Sequence, residues 1–187
     1  MADDSDSGRF LLGARGWPHP EWRDGYFPHD LPGDWEFAYY SNDAGCLLLP
    51  AADWRSLERE QVAGWLDDCE SWFRFFLEAP AGGGAVECLE WFGDRLGGVL
   101  LTEPHTDPDL PQGLPCWQPA ADGACWIEPG SGAVLARWRL AGEDLRTLKA
   151  RMQALPERTR YLVLDGPDFT PLQLGELRTL ADLLGLA

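Results

Sequence analysis

From Arg9 onward the apolar residues fall into two kinds of pattern: short continuous runs, and stripes at helical spacing on otherwise polar segments. Phe10-Leu11-Leu12-Gly13-Ala14 is a run of the first kind, ending at Gly16 and Trp17 in a stretch that carries Pro18, Pro20, Pro28 and Pro32. An apolar run bounded by turn residues predicts a strand buried on both faces, here followed by a long, proline-stiffened loop. Asp34 to Tyr40 predicts a short helix, and Cys46-Leu47-Leu48-Leu49-Pro50 a second buried strand. From Trp54 the apolar positions Leu57, Val62, Trp65, Leu66 and Cys69 recur as on one face of a helix, opposite Arg55, Glu58, Arg59 and Asp67, so an amphipathic helix is expected there. Trp72 to Leu77 reads as a strand, Val86-Cys88-Leu89-Phe92-Leu96 as a second helical stripe, and Gly98 to Thr102 as the next strand.

The pattern lapses over residues 103–132, which are rich in proline and glycine and hold one apolar island, Ala124-Cys125-Trp126-Ile127. Irregular structure with at most one short strand is predicted. Regularity returns with a strand at Val134 to Leu140, a helix carried by Leu145, Leu148, Met152 and Leu155, a last strand at Tyr161 to Leu164 and a last helix at Leu172 to Leu184. That final helix has marked ends: Thr170 as N-cap, Pro171 at the first helical position, Gln173 at the capping-box position and Gly185 to stop it. Alternating strands and helices with continuous apolar strands imply an α/β fold with a mostly parallel sheet. Six or seven strands are expected, arranged as an open sheet or as a shortened, incomplete TIM-like (β/α) barrel.

Composition narrows this picture. With 187 residues, 45% of them hydrophobic, the chain has material for one α/β domain over residues 9–187, preceded by an acidic segment, residues 1–8, expected to be mobile. Lys+Arg 15 against Asp+Glu 31 gives a formal charge of −16, which repels phosphate backbones and anionic lipid, so neither nucleic acid nor membrane is an expected partner. The first residues lack the basic and apolar regions of a secretory leader, and a cytoplasmic location is expected. The five cysteines form no Cys-x-x-Cys pair, which argues against a zinc framework. Cys46, Cys69 and Cys88 read as small core residues, whereas Cys116 and Cys125 bracket a loop and could meet.

One stretch resembles a known family. Gly13-Ala14-Arg15-Gly16-Trp17, then Trp22, then Phe27-Pro28, is similar to the opening of the YecE-like proteins, bacterial (β/α)-barrel proteins of unknown function. Tyr39-Tyr40, Phe73-Arg74-Phe75-Phe76, Leu100-Leu101-Thr102-Glu103-Pro104, Arg137-Trp138-Arg139-Leu140-Ala141-Gly142 and Tyr161-Leu162-Val163-Leu164-Asp165 follow in the family's order. Departures accompany the likeness. The family's Glu-x-Asn-x-Thr-Phe-Tyr strand is replaced by Cys46-Leu47-Leu48-Leu49-Pro50, its third-strand lysine by Leu77 or Glu78, its fourth-strand glutamine by Thr102, and its last-strand asparagine pair by Asp165-Gly166. The resemblance implies a diverged relative, shorter than the typical barrel of about 250 residues, whose polar pocket is rewritten.

Two constellations could carry chemistry. Acids recur where strands are predicted to end, at Glu78, Glu103, Glu128 and Asp165. In α/β folds ligands gather at such ends, so these carboxylates are candidates for general acid and base. His19, Glu103, His105 and Asp165 are candidate ligands for a hard divalent cation; no other cofactor is expected. The plainer alternative is a set of solvated strand ends on an acidic protein. The second constellation is aromatic. Among ten tryptophans, Trp17 and Trp22 share one loop with His19, Arg23 and Tyr26, which could form a stacking floor for a ligand or could pack across the barrel mouth. No phosphate-cradling glycine loop and no strained Gly-x-Ser-x-Gly turn occurs. Two readings of function follow. In one, the protein is non-catalytic and works through protein contact or homo-oligomerisation, its acidic surface selecting a basic partner. In the other it is a small hydrolase or lyase, with or without a metal, that uses the strand-end carboxylates.

Overall fold

The computed structural model describes residues 9–80, 87–103, 113–166 and 169–186. Eight strands close into a barrel in chain order: β1 (Leu11–Arg15), β2 (Cys46–Leu49), β3 (Arg74–Glu78), β4 (Leu96–Leu100), β5 (Cys116–Pro119), β6 (Cys125–Ile127), β7 (Val134–Arg139) and β8 (Thr159–Asp165). Closure is made by β1 against β8, with Leu11 opposite Tyr161 and Ala14 opposite Leu164. Six of the eight pairings are parallel, while β6 runs antiparallel to both β5 and β7. The barrel is therefore complete, with eight strands instead of six or seven. The proline- and glycine-rich middle is not strandless. It holds two short strands joined by a tight turn, and a three- or four-residue strand leaves too few apolar positions to register as a pattern.

Helices coat the barrel unevenly. α1 (Glu36–Asp43) lies between β1 and β2, α2 (Ala51–Trp54) and α3 (Arg59–Asp68) between β2 and β3, α4 (Leu145–Gln153) between β7 and β8, and α5 (Leu172–Leu183) after β8. Between β5 and β7 the connections are hairpin turns, so the chain saves residues on helices and not on strands. The helix expected from Trp54 to Cys69 is two helices: Glu58 is extended, and Trp54 sits on the first piece, where its indole donates to the Glu78 carbonyl at 2.9 Å. The stripe at Val86–Leu96 is a 3₁₀ segment over Glu87–Arg95, kinked at Gly93, where φ is 53° and ψ −133°. At α5 the Gln173 side chain accepts from Thr170 N–H at 2.9 Å as a capping box requires, but the helix opens one residue later than expected, with Pro171 at the N-cap, and at its other end Leu186 N–H reaches the Ala181 carbonyl past Gly185.

Two cores follow from the two faces of the sheet. Side chains alternate along each strand, and Leu12, Ala14, Leu47, Leu49, Phe75, Leu77, Val99, Trp138, Leu162 and Leu164 point out against the helices. Leu11, Cys46, Leu48, Phe76, Leu100, Trp117, Trp126, Leu135 and Val163 point inward and fill the lumen. Three bulky rings meet in the lumen, and two of them, Phe76 and Trp117, fit because glycine faces them. A Cβ on Gly97 would lie 2.6 Å from the Phe76 ring, and one on Gly98 would lie 2.4 Å from the Pro115 carbonyl and 2.6 Å from the Trp117 indole. Phe76, Trp117 and Tyr161 meet edge to face.

Cys116 and Cys125 do not meet. The β5–β6 register pairs Pro119 with Trp126, which sets Cys125 opposite residue 120, about 13 Å along the strand from Cys116. A disulfide needs Cα atoms about 4.4–6.8 Å apart, and none of the five cysteines is in a disulfide. Among the described residues, no helix is long and apolar enough to cross a membrane.

Candidate functional site

Charged residues in phase with the lumen gather at the carboxyl ends of the strands, while Arg74 and Thr159 stand at the opposite ends of β3 and β8. Arg15 ends β1, Glu78 ends β3, Asp165 ends β8, and Arg137 sits two residues before the end of β7, all in the same alternation as the lumen residues. Each is the last or nearly the last inward position of an apolar strand, so the fold delivers four charges to one mouth. Arg15 reaches past β2 to Glu78, its Nε donating to Oε1 at 2.6 Å and its Nη2 to Oε2 at 2.8 Å. Arg137 Nη1 joins from the other side, 3.3 Å from the same Oε1. These side chains retain 29%, 16% and 26% of their exposure for Arg15, Glu78 and Arg137, so the cluster is half-sheltered and still open to the mouth.

Surrounding groups hold this cluster in place. The hydrogen bond to Glu78 holds the Arg15 guanidinium above its usual range, with smaller contributions in the same direction from the Glu78, Asp165 and Asp53 charges. Arg137 lies over the Trp126 ring at 5.2 Å, and the Trp126 indole is anchored to the Leu101 carbonyl at 2.9 Å. Asp165 Oδ1 accepts from Gly166 N–H at 2.7 Å. Gly166 has a φ of +124°, and a Cβ there would strike the Leu140 carbonyl at 2.6 Å, so glycine is required at the exit of β8.

The candidate acids separate into different places. Glu78 and Asp165 share the mouth. Glu103 lies three residues past β4 and is exposed. Glu128 belongs to the opposite end. Because β6 is antiparallel, Ile127 pairs with Val134, the first residue of β7, and Glu128 there accepts from the Gly130 and Ser131 N–H groups; hydrogen bonding to the Ser131 side chain first, and then to these N–H groups, holds its carboxyl below the usual range. This acid closes a turn far from the mouth, a correction to its placement on the same rim. Among the candidate metal ligands, His19 Nε2 donates to the Arg15 carbonyl at 3.1 Å and Nδ1 faces Glu21 at 3.1 Å, while His105 lies outside the described residues. Among the described residues no three His, Cys, Asp or Glu side chains gather as a metal group would require.

The first loop is used for packing. Trp17 is 9% and Trp22 3% exposed; Trp17 packs edge to face on Phe37, and Trp22 against Tyr40 and Phe169. His19 stacks on Trp22 at 3.9 Å, covering a face the ligand-floor reading needed. Tyr26 is half-buried and donates to Asp43 at 2.8 Å. Burial and that bond push its phenol well up. Arg23 turns away to pair with Glu36 at 2.6 Å. Arg15 and Arg137, which the sequence reading left out of the site, carry its centre. A sequence signal exists: each is a cation in phase with the inward-facing residues of a largely apolar strand, alone on β1 and followed by Arg139 on β7.

A family model described as protein of unknown function DUF72 matches residues 11–186. The chain belongs to that family. Membership agrees with the YecE-like resemblance and with the barrel, and it assigns no reaction. No curated protein and no solved structure matches the chain.

Proposed function

We propose that this family member handles a small molecule at the carboxyl-end mouth of the barrel, by hydrolase- or lyase-type proton transfer with Asp165 as the working carboxylate. The observation that carries the reading is the Arg15–Glu78–Arg137 cluster, in which strands β1, β3 and β7 each contribute one inward-facing charge to a single point. Charges aimed into the carboxyl-end mouth of a filled lumen are placed where (β/α) barrels work. Glu78 is engaged on both oxygens by cations, which makes it a positioning residue for the two guanidiniums. Asp165 has one oxygen bonded to Gly166 N–H and the other free among the described residues, so it is the acid able to take a proton from a bound molecule. The test is a thermal-shift screen of small metabolites, followed by turnover assays on any that bind. Asp165→Asn should keep binding and lose turnover. Binding that survives Arg137→Gln, or turnover that survives Asp165→Asn, would refute the assignment.

A second reading, protein contact with a basic partner, is favoured by a different feature. A cleft of about 350 Å³ runs beside α1 and α3, floored by Trp17, Phe37 and Trp65 and edged by Asp34, Glu36, Glu60 and Asp68. Trp35, 62% exposed, is the neighbour of two of these residues. Burial and the charges of Asp67 and Asp34 hold the Asp68 carboxyl above its usual range, a repulsion that a cation would relieve. Titration with a lysine- and arginine-rich peptide, read by tryptophan fluorescence and repeated with Asp34→Asn and Asp68→Asn, tests this reading. An unchanged affinity in the double variant would remove it.

A further inference from the structure

Resting on the mouth as the ligand site, we propose that the molecule bound there carries a carboxylate, held in the fork of Arg15 and Arg137. A guanidinium offers five N–H groups, and the two arginines together use three of them on Glu78. Among the described residues, no further acceptor meets the rest. The Nε–Nη2 edge of Arg15 and Nη1 of Arg137 meet at Glu78, which leaves the outer Nη1 and Nη2 N–H groups of Arg15 and the Nε–Nη2 edge of Arg137 for a planar oxyanion, whose oxygens such N–H pairs match in spacing and direction. The Trp126 face against Arg137 fixes the plane of that fork.

Charge selects the kind of oxyanion. Glu78 already neutralises part of the cationic pair, and the Arg15 guanidinium also lies within the field of Asp165 and Asp53. Against this balance a second negative charge on the ligand meets three carboxylates, whereas a single charge meets two guanidiniums at contact. A monocarboxylate is therefore favoured over a phosphate dianion. The same geometry places Asp165 next to the carboxylate-bearing end of the ligand, where proton transfer at the adjacent carbon is within its reach.

The test uses the whole chain with sodium acetate and sodium benzoate as probes, inorganic phosphate as the competing oxyanion, and sodium chloride to hold ionic strength constant. Binding is read from the Trp126 indole N–H resonance. The carboxylates should shift that resonance with a Kd in about the millimolar range expected of fragments, and phosphate should shift it less. Arg137→Gln should weaken the carboxylates about tenfold or more, the loss expected for a charge-assisted hydrogen bond. Arg137→Lys, which keeps the charge and loses the fork, should weaken them nearly as much, and near-UV circular dichroism checks that both variants are folded. Equal binding by Arg137→Lys and the wild type, or stronger binding of phosphate than of acetate, overturns the carboxylate assignment. Neutral metabolites that shift the Trp126 resonance where the carboxylates do not would leave the mouth as the site and refute its ligand class. Silence from every probe and metabolite would remove both.

Discussion

Replacing Glu78 with glutamine keeps the volume at the mouth and removes the charge that separates two cations. Both guanidiniums contact the same Oε1, at 2.6 and 3.3 Å, so the nitrogens concerned are at most about 6 Å apart. At an effective dielectric constant of about 20, two unit charges at that distance repel by roughly 3 kcal/mol. The partial exposure of all three side chains reduces this, and the exchange of charge-assisted for neutral hydrogen bonds adds to it. A net loss of about 2–3 kcal/mol is expected, which for a domain of this size corresponds to a fall in Tm of roughly 5–10 °C. Urea unfolding of the wild type, Glu78→Gln, Arg137→Met and the double variant measures it directly. Removing Arg137 as well deletes the repulsion, so the double variant should be more stable than Glu78→Gln alone by about 1 kcal/mol or more. Salt should stabilise Glu78→Gln more than the wild type, because it screens like charges. A loss below about 0.5 kcal/mol, or a double variant less stable than both singles, would refute the view that Glu78 holds the two arginines together.

Other expectations are as specific. The buried Tyr40 hydroxyl accepts from Ala14 N–H and donates to the Cys46 carbonyl, both at 2.8 Å, so Tyr40→Phe should cost about 1–3 kcal/mol in chemical denaturation by stranding groups of β1 and β2. Gly98→Ala should cost about 3 kcal/mol, combining its φ of +136° with a Cβ 2.4 Å from the Pro115 carbonyl, whereas Gly93→Ala, with nothing within 4 Å, should cost about 1 kcal/mol by the same assay. Burial and the neighbouring Asp122 push the Cys125 thiol up to about 11, so its alkylation, followed by mass spectrometry, should be slow at neutral pH and accelerate toward that value. Glu21, Glu128, Glu143 and Asp144 have depressed carboxyl pKa values, held mainly by backbone and side-chain hydrogen bonds. Their stabilisation is present above the unfolded carboxylate range of about 3.9–4.3 and is lost as pH falls through the lower folded values. Glu128→Gln should therefore flatten the acid limb of a stability–pH curve.

The strands that could be read from the sequence are those buried on both faces, such as Leu11 to Ala14, Cys46 to Leu49 and Leu162 to Leu164, because continuous apolar runs signal burial on both sides. In the middle, β6 falls on the apolar island Ala124 to Ile127, where one short strand could be expected, whereas β5 escaped because its inward contribution is one tryptophan, flanked by Cys, Gln and Pro, and a strand that short has no period to detect. The chain direction of β6 was equally invisible, and with it the fact that Glu128 ends a strand at the wrong end of the barrel. The α2–α3 break hid inside a helical stripe because Trp54 happens to fall in phase with Leu57, Val62 and Trp65. At the site, Glu78 and Asp165 were legible as strand-end acids. Their cationic partners were not, since pairing Arg15 with Glu78 across β2 requires knowing that the sheet closes. Composition left the aromatic loop open between a ligand floor and packing across the barrel mouth. Its rings are held instead by contacts with Phe37, Tyr40 and Phe169, which lie far apart in sequence.

The reversed strand β6 also divides the surface for anyone wishing to add to this protein. The turn between β5 and β6, residues 120–124, hangs on the mouth side, where Ala124 bonds to Arg137 N–H at 2.8 Å. The next turn, residues 128–133, faces away from the mouth and is closed by its own local hydrogen bonds. A tag, a fluorophore or a whole inserted domain belongs in the second turn, where the barrel's far end acts as a handle. In an ordinary (β/α) barrel, β6 would send both its approach and its exit through long helical connections. Here the direction of one three-residue strand supplies an attachment point on the side opposite the Arg15–Glu78–Arg137 cluster.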